Sequence, residues 1–158
     1  MKTYLFKYVL ALLALTALSG GALAQSTPAH QAPGREAETK ALLASVGHAI
    51  DKQQDGLEAS IRDAGARAHW KDEDRASFFQ SVLRSKTNQE FDRQIASITA
   101  ELRSMLDASQ RGQVNGAAAD ARFVARVREL VGRLKSVHAR QSAYLIEQLR
   151  AVKPRAQP

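Results

Sequence analysis

Apolar residues recur along most of the chain at intervals of three and four residues, the spacing of one face of an α-helix. The pattern predicts a first helix over residues 35–66 and a last helix over residues 117–153, which stops at Pro154 because proline cannot continue it. The stripe of the first helix comprises Leu43, Val46, Ile50, Leu57 and Ile61. The stripe of the last helix comprises Phe123, Val127, Leu130, Leu134, Val137, Leu145, Leu149 and Val152.

Two further amphipathic segments lie between these helices. A short helix is predicted from Asp72, and a third helix is predicted to begin at Thr87, because Thr87 and Glu90 have the spacing of a capping box. The third helix ends near residues 111–112, before the loop 112–116. Its apolar series is Phe91, Ile95, Ile98, Leu102 and Met105. The boundary at residues 85–88 is the least defined, so residues 72–111 form either two helices or one kinked rod.

Four amphipathic segments with short links and no strand pattern predict an all-α fold. We expect a small antiparallel helical bundle of three long helices and one short helix, or a three-helix bundle if the middle segments are one rod. The bundle domain spans residues 35–153. A polar leader over residues 25–34 and a tail over residues 154–158 are expected to be disordered.

The first 24 residues have the three parts of a cleavable signal peptide. Lys2 and Lys7 give a positive start, residues 8–18 are apolar, and Ala22 and Ala24 place small side chains before Gln25. The apolar run of 11 residues is too short to cross a bilayer, which takes roughly 20. The chain has no cysteine, which excludes a lipoprotein and disulfides. We therefore expect export to the bacterial periplasm, with an extracellular location as the alternative.

Charge is distributed unevenly along the mature chain. Loss of Lys2 and Lys7 leaves 21 basic and 16 acidic residues, a net charge of +5. Residues 35–65 carry a net charge of −2, and residues 113–158 carry +6. The last helix places a row of basic side chains and one tyrosine on one face, and these are the candidate partner-binding residues: Arg122, Arg126, Arg133, Arg140 and Tyr144. The first helix carries a carboxylate row, Asp51, Asp55 and Glu58.

These two rows have two interpretations. Either both are solvated faces that keep the protein soluble, or the arginine row binds an acidic partner or an anionic surface. If the first and last helices are neighbours, the carboxylate row is expected to face the arginine row and neutralise it. Nucleic acid is not an expected partner, because the protein is exported and the basic row lacks interleaved aromatic side chains. Stable membrane insertion is not expected either.

The residue pattern predicts no catalytic, cofactor-binding or metal site. None of the four histidines (His30, His48, His69 and His138) lies three or four residues from another, so no helical two-histidine ligand pair exists. The serines do not form a G-x-S-x-G or S-x-x-K motif. We therefore expect neither an enzyme nor a cofactor.

Residues 106–110, LDASQ, resemble one copy of the L-T-x-x-Q signature of the small helical periplasmic stress chaperones. Asp107 stands at the threonine position, and the segment occurs once where that family has two copies, so no family is assigned. The sequence favours an exported, non-enzymatic protein acting by protein–protein interaction, either chaperone-like toward unfolded clients or as an envelope adaptor. The alternative is a dedicated inhibitor, such as an immunity protein for a secreted toxin. The oligomeric state is not predicted.

Overall fold

The computed structural model describes residues 33–154, and every regular element in this range is an α-helix. The four helices are α1 (Pro33–Ala68), α2 (Asp72–Leu83), α3 (Lys86–Gln110) and α4 (Ala117–Arg150). The all-helical prediction is confirmed for this part of the chain. Helix α1 begins two residues earlier than predicted, and α4 ends three residues earlier. The predicted signal peptide, residues 25–32 of the leader and residues 155–158 of the tail lie outside the described residues.

Helices α1 and α4 pack side by side and run parallel. Near their first turns the guanidinium of Arg35 forms an ion pair with the carboxylate of Asp120. Near their last turns the Arg67 guanidinium donates to the carbonyl oxygen of Leu149 at 3.2 Å. The prediction of an antiparallel bundle is therefore wrong for the first and last helices.

Helix α3 runs antiparallel to α4. Glu101, late in α3, pairs with Arg126, early in α4, whereas Asp92, early in α3, accepts a hydrogen bond from Gln141, late in α4. The short helix α2 makes a small contact with α3 and no comparable contact with α1 or α4 in the described part of the chain, so α3 makes the passage back along α4. The chain therefore reverses twice rather than three times, which is why α1 and α4 run in the same direction.

Two residues lie between α2 and α3. Arg84 keeps a helical backbone conformation and ends α2, and Ser85 is extended and precedes α3. The Ser85 hydroxyl accepts a hydrogen bond from the backbone N–H of Asn88 at 3.2 Å and caps α3. The predicted capping box of Thr87 and Glu90 is therefore wrong. Thr87 lies inside the first turn of α3, because Ser85 already supplies the cap two residues earlier. Residues 72–111 form two helices rather than one.

The hydrophobic core lies between α1, α3 and α4. Leu102 and Leu134, each in the middle of its predicted stripe, are among its most buried side chains, with relative exposures of 0% and 1%. Helix α4 contributes the most buried residues, since it packs against both other long helices. Of the predicted stripe of α1, only Val46 is fully buried. In the second half of α1, the buried apolar residues are Ala64 and Ala68.

The turn between α3 and α4 depends on two glycines with positive φ. Gly112 has a φ of +70°, and the next N–H, that of Gln113, donates to the carbonyl oxygen of Ala108 at 3.1 Å. This is the hydrogen bond that ends a helix through a left-handed residue. Gly116, with a φ of +92°, precedes α4. The two glycines thereby set the direction in which α4 leaves α3.

Candidate functional site

The predicted arginine row lies on the flank of α4 that faces α3. Arg126 pairs with Glu101, and Arg140 donates to Gln94, so the row follows the seam between these two helices. Arg122 and Arg133 are exposed on the same flank. The structure thus places the predicted arginines on one surface, but among the described residues it gives hydrogen-bond partners only to Arg126 and Arg140.

Arg126 is held by two carboxylates. Its Nε donates to Oε1 of Glu101 at 2.9 Å, and it forms a second ion pair with Glu129, one turn further along α4. The hydrogen bond to Glu101 and then that to Glu129 raise the pKa of Arg126 above its ordinary value. Both acids favour the charged form, so the charge of Arg126 is already balanced inside the protein.

Tyr144, the last member of the predicted row, is turned into the bundle. Its hydroxyl donates to Oγ of Ser85 at 3.0 Å. Its ring lies against Phe91, with 6.1 Å between the ring centroids. Tyr144 therefore ties α4 to the start of α3, and it is better suited to a structural role than to partner binding.

The arginine row is not neutralised by the carboxylate row of α1. Asp51, Asp55 and Glu58 are exposed, and within residues 33–154 they form no ion pair. The expectation that the two rows face each other is wrong, because the arginines border α3 rather than α1. Arg122 and Arg133 likewise have no acidic partner among the described residues.

A groove of about 460 Å³ opens between α3 and α4 beside Arg133 and Arg140. Its floor is apolar, since Ile98 and Val137 are each only 3% exposed. Seven of its nine lining residues were not predicted as site residues, although the four-residue spacing of Arg93 and Ser97 places these two on a common flank of α3. The lining comprises Glu90, Arg93, Gln94, Ser97, Ile98, Arg133, Ser136, Val137 and Arg140.

The side-chain acceptors on the α3 wall of the groove are already engaged. Glu90 accepts from Nε2 of Gln94 at 3.1 Å through Oε1, and its Oε2 lies 3.4 Å from the guanidinium of Arg93. Oε1 of Gln94 accepts from Arg140 at 3.2 Å. This chain of contacts leaves donor groups at the surface of the groove.

The remaining polar groups of the groove are donors without a partner in the described part of the chain. They are the guanidinium of Arg133 and the hydroxyls of Ser97 and Ser136. The lining contains three arginines and one glutamate, which gives a local charge of +2. A surface of this kind attracts anionic groups and offers hydrogen bonds to their oxygens.

Other kinds of site have less support in residues 33–154. No group of three or more histidines, aspartates or glutamates in this range is arranged to hold a metal ion. None of the helices described has an apolar stretch sufficient to cross a membrane. The candidate site is therefore a charged surface groove.

Comparisons of the chain with protein-family models, with curated proteins and with solved structures find no match.

Proposed function

We propose that this chain is an exported, non-enzymatic protein that acts by protein–protein interaction in the bacterial envelope, as a chaperone-like protein or an adaptor. Its docking surface is the α3-facing flank of α4, centred on Arg122, Arg133 and Arg140. The observation that carries the proposal is that Arg122 and Arg133 are exposed and have no acidic partner among the described residues. The partner is an acidic protein surface or an unfolded client with acidic segments.

Long-range attraction is the main contribution that such a surface makes to binding. Arginines in a row raise the rate at which an acidic partner associates, and added salt lowers that rate because it screens the charges. Exposed ion pairs contribute only about 0–1 kcal/mol each to stability. The arginines of this flank are therefore better suited to recognition than to holding the bundle together.

The proposal is tested by capture of proteins from periplasmic extract on the immobilised mature protein, followed by mass spectrometry. The informative variant is Arg122→Gln with Arg133→Gln, since these two side chains form no hydrogen bond or ion pair with other described residues. Its matched control is Arg62→Gln with Arg103→Gln, which removes the same charge from exposed positions on α1 and α3. The first variant should lose partners that the control retains, and the loss should be largest at low salt.

Two results would count against the proposed surface. Equal capture by both variants would remove the arginine flank from partner binding, and equal loss in both would indicate a nonspecific effect of net charge. Among positive results, many weakly bound clients favour the chaperone-like role. One stoichiometric partner that carries a toxin activity favours the inhibitor alternative instead.

A further inference from the structure

We propose that the groove between α3 and α4 is a binding site for a short chain of linked phosphates, such as inorganic triphosphate. This ligand goes beyond the proposed protein partner, although both would use Arg133 and Arg140. The groove would therefore make partner binding sensitive to the ligand, because an occupied groove no longer offers those two charges to an acidic protein.

The charge of the groove and its hydrogen-bonding groups point to an oxyanion. Glu90 and Gln94 have their side-chain oxygens engaged within the α3 wall or by Arg140. Arg133 and the hydroxyls of Ser97 and Ser136 remain as donors. A ligand that supplies acceptors and negative charge matches this lining, because the net charge of the lining is positive and each of these three groups can donate a hydrogen bond.

The arrangement of the donors on two walls favours phosphate over carboxylate. A planar carboxylate is satisfied by one guanidinium fork. A terminal phosphate carries three oxygens that do not lie in one plane. Here Ser97 and Arg93 approach from α3, and Ser136, Arg133 and Arg140 approach from α4. Donors on opposite walls can reach different oxygens of the same phosphate.

The length of the groove favours more than one phosphate. Arg133 and Arg140 are seven residues apart on one helix face, which separates their Cα atoms by about 10.5 Å. A chain of two or three phosphates can follow this spacing and place a charge near each arginine, so the two side chains need not converge on one phosphate. The apolar floor of Ile98 and Val137 limits the water on one side and so strengthens these contacts.

The test is calorimetric titration of the mature protein with sodium triphosphate at low and moderate salt. Wild-type protein should bind one equivalent, and Arg133→Gln with Arg140→Gln should weaken binding at least tenfold. Ser97→Ala with Ser136→Ala should weaken it about threefold to thirtyfold, since two hydrogen bonds to a charged group are lost without a change in net charge. The control Arg62→Gln with Arg103→Gln should bind within twofold of wild type. Circular dichroism verifies that each variant is folded.

Four outcomes would overturn the proposal. No binding by the wild type excludes the site, and equal weakening in the Arg62/Arg103 control reduces it to general charge attraction. Equal affinity for citrate shows that the groove does not distinguish phosphate from carboxylate. Binding to vesicles of anionic phospholipid, without binding to triphosphate, would identify a membrane headgroup as the ligand and would also contradict the proposal of a soluble ligand. Capture of a protein partner is measured separately with Arg122→Gln, since Arg122 lies on the docking surface but outside the groove lining. This variant should weaken capture and leave triphosphate binding within about twofold of wild type, so failure of one proposal is distinguishable from failure of the other.

Discussion

Gln141 on α4 donates hydrogen bonds through its Nε2 to Oδ1 of Asn88 and to Oδ1 of Asp92 on α3, each at 3.0 Å. Nδ2 of Asn88 in turn donates to Oδ2 of Asp92 at 3.0 Å. Asn88 is fully buried and Gln141 nearly so. These three side chains form a cyclic polar network between α3 and α4. Because a shift of α3 along α4 would separate them, the network selects one register of the two helices.

Replacing Gln141 with leucine keeps most of the side-chain volume and removes the donor shared by Asn88 and Asp92. We expect the free energy of unfolding to fall by about 1–3 kcal/mol, because buried polar atoms on α3 lose a partner. Urea denaturation followed by circular dichroism measures the loss. Gln80→Leu, at an exposed position of α2, is the control and should change stability by about 0.5 kcal/mol or less. Equal stability of wild type and Gln141→Leu would show that the network contributes little.

The network had a signal in the sequence, but apolar periodicity alone did not find it. The predicted stripe of α4 steps from Val137 to Leu145, and Gln141 occupies the position halfway between them. Asn88 likewise continues the series of Phe91 backwards by three residues. Both positions are core positions filled by amides. A polar residue on an apolar stripe either interrupts the core or forms a buried hydrogen bond with a polar residue of another helix. The sequence of one helix does not distinguish these cases, because the hydrogen-bond partner lies on the other helix.

The centre of the core was predictable, since Leu102 and Leu134 each lie mid-stripe and are almost completely buried. Replacing either with alanine should lower the free energy of unfolding by about 2–5 kcal/mol, because the substitution leaves a cavity that the neighbouring helices cannot fully close. Thermal unfolding and urea titration measure the effect. Leu145→Ala, at a half-buried position of the same helix, is the comparison and should cost less. Unchanged melting temperatures for both core variants would contradict the assigned helix faces.

The candidate site was less predictable than the fold. The helical wheel placed the arginines of α4 on one face, but it could not show which carboxylates lie opposite. Glu101 is 25 residues from Arg126 in the chain, and it balances that arginine only because α3 folds back along α4. The parallel order of α1 and α4 was missed for a related reason. The relative direction of α1 and α4 depends on whether the chain between them runs along the bundle once or twice. Helical periodicity does not show this.

His138 should make stability depend on pH. Burial lowers its pKa below the ordinary value of 6.5, and its buried Nε2 has no hydrogen-bond partner in the described structure. The histidine of the unfolded chain takes up a proton near pH 6.5, whereas the folded one stays neutral to lower pH. The contribution of neutral His138 to the free energy of unfolding is therefore fully present above pH 6.5. It is lost progressively as the pH falls below 6.5, until the pH reaches the lowered pKa of the folded state.

The free energy of unfolding is measured for wild type, for His138→Gln and for His48→Gln, a control at an exposed position. The measurements run from about pH 7.5 to about pH 5 in steps of roughly half a pH unit. We expect the wild type and the control to lose stability together as the pH falls below 6.5. His138→Gln should show a flatter dependence over the same range. Parallel curves for all three proteins would assign the pH dependence to other groups.

Export makes a separate prediction about the N-terminus. If residues 1–24 are a signal peptide, the exported protein begins at Gln25, because Ala22 and Ala24 fit the two small-residue positions before the cleavage site. Intact-mass measurement on protein from the periplasmic fraction should show the loss of these residues. Ala24→Tyr should block the cleavage and retain the precursor at the membrane, with Ala29→Tyr as the control. A full-length chain in the soluble periplasmic fraction would contradict the prediction.

The start of α1 is fixed by Arg35, whose side chain is only 5% exposed. Its guanidinium pairs with Asp120, donates to the carbonyl oxygen of Val114 at 3.1 Å and lies 5.6 Å from the centroid of the Phe123 ring. One side chain therefore ties α1 both to the turn after α3 and to the first turns of α4. Both hydrogen bonds come from one nitrogen, Nη1, while the guanidinium carbon lies over the Phe123 ring.

Arg35→Met should lower the free energy of unfolding by about 3–5 kcal/mol, because it leaves the mostly buried carboxylate of Asp120 without its cation. Arg35→Lys keeps the charge and should cost less. Adding Asp120→Leu to Arg35→Met should recover much of the loss, since an apolar pair of similar volume no longer buries an unpaired charge. Urea denaturation measures all three variants, and hydrogen exchange along residues 35–50 shows whether α1 alone opens. If the double variant is no more stable than Arg35→Met, the loss comes from the contacts with Val114 and Phe123 rather than from the unpaired charge.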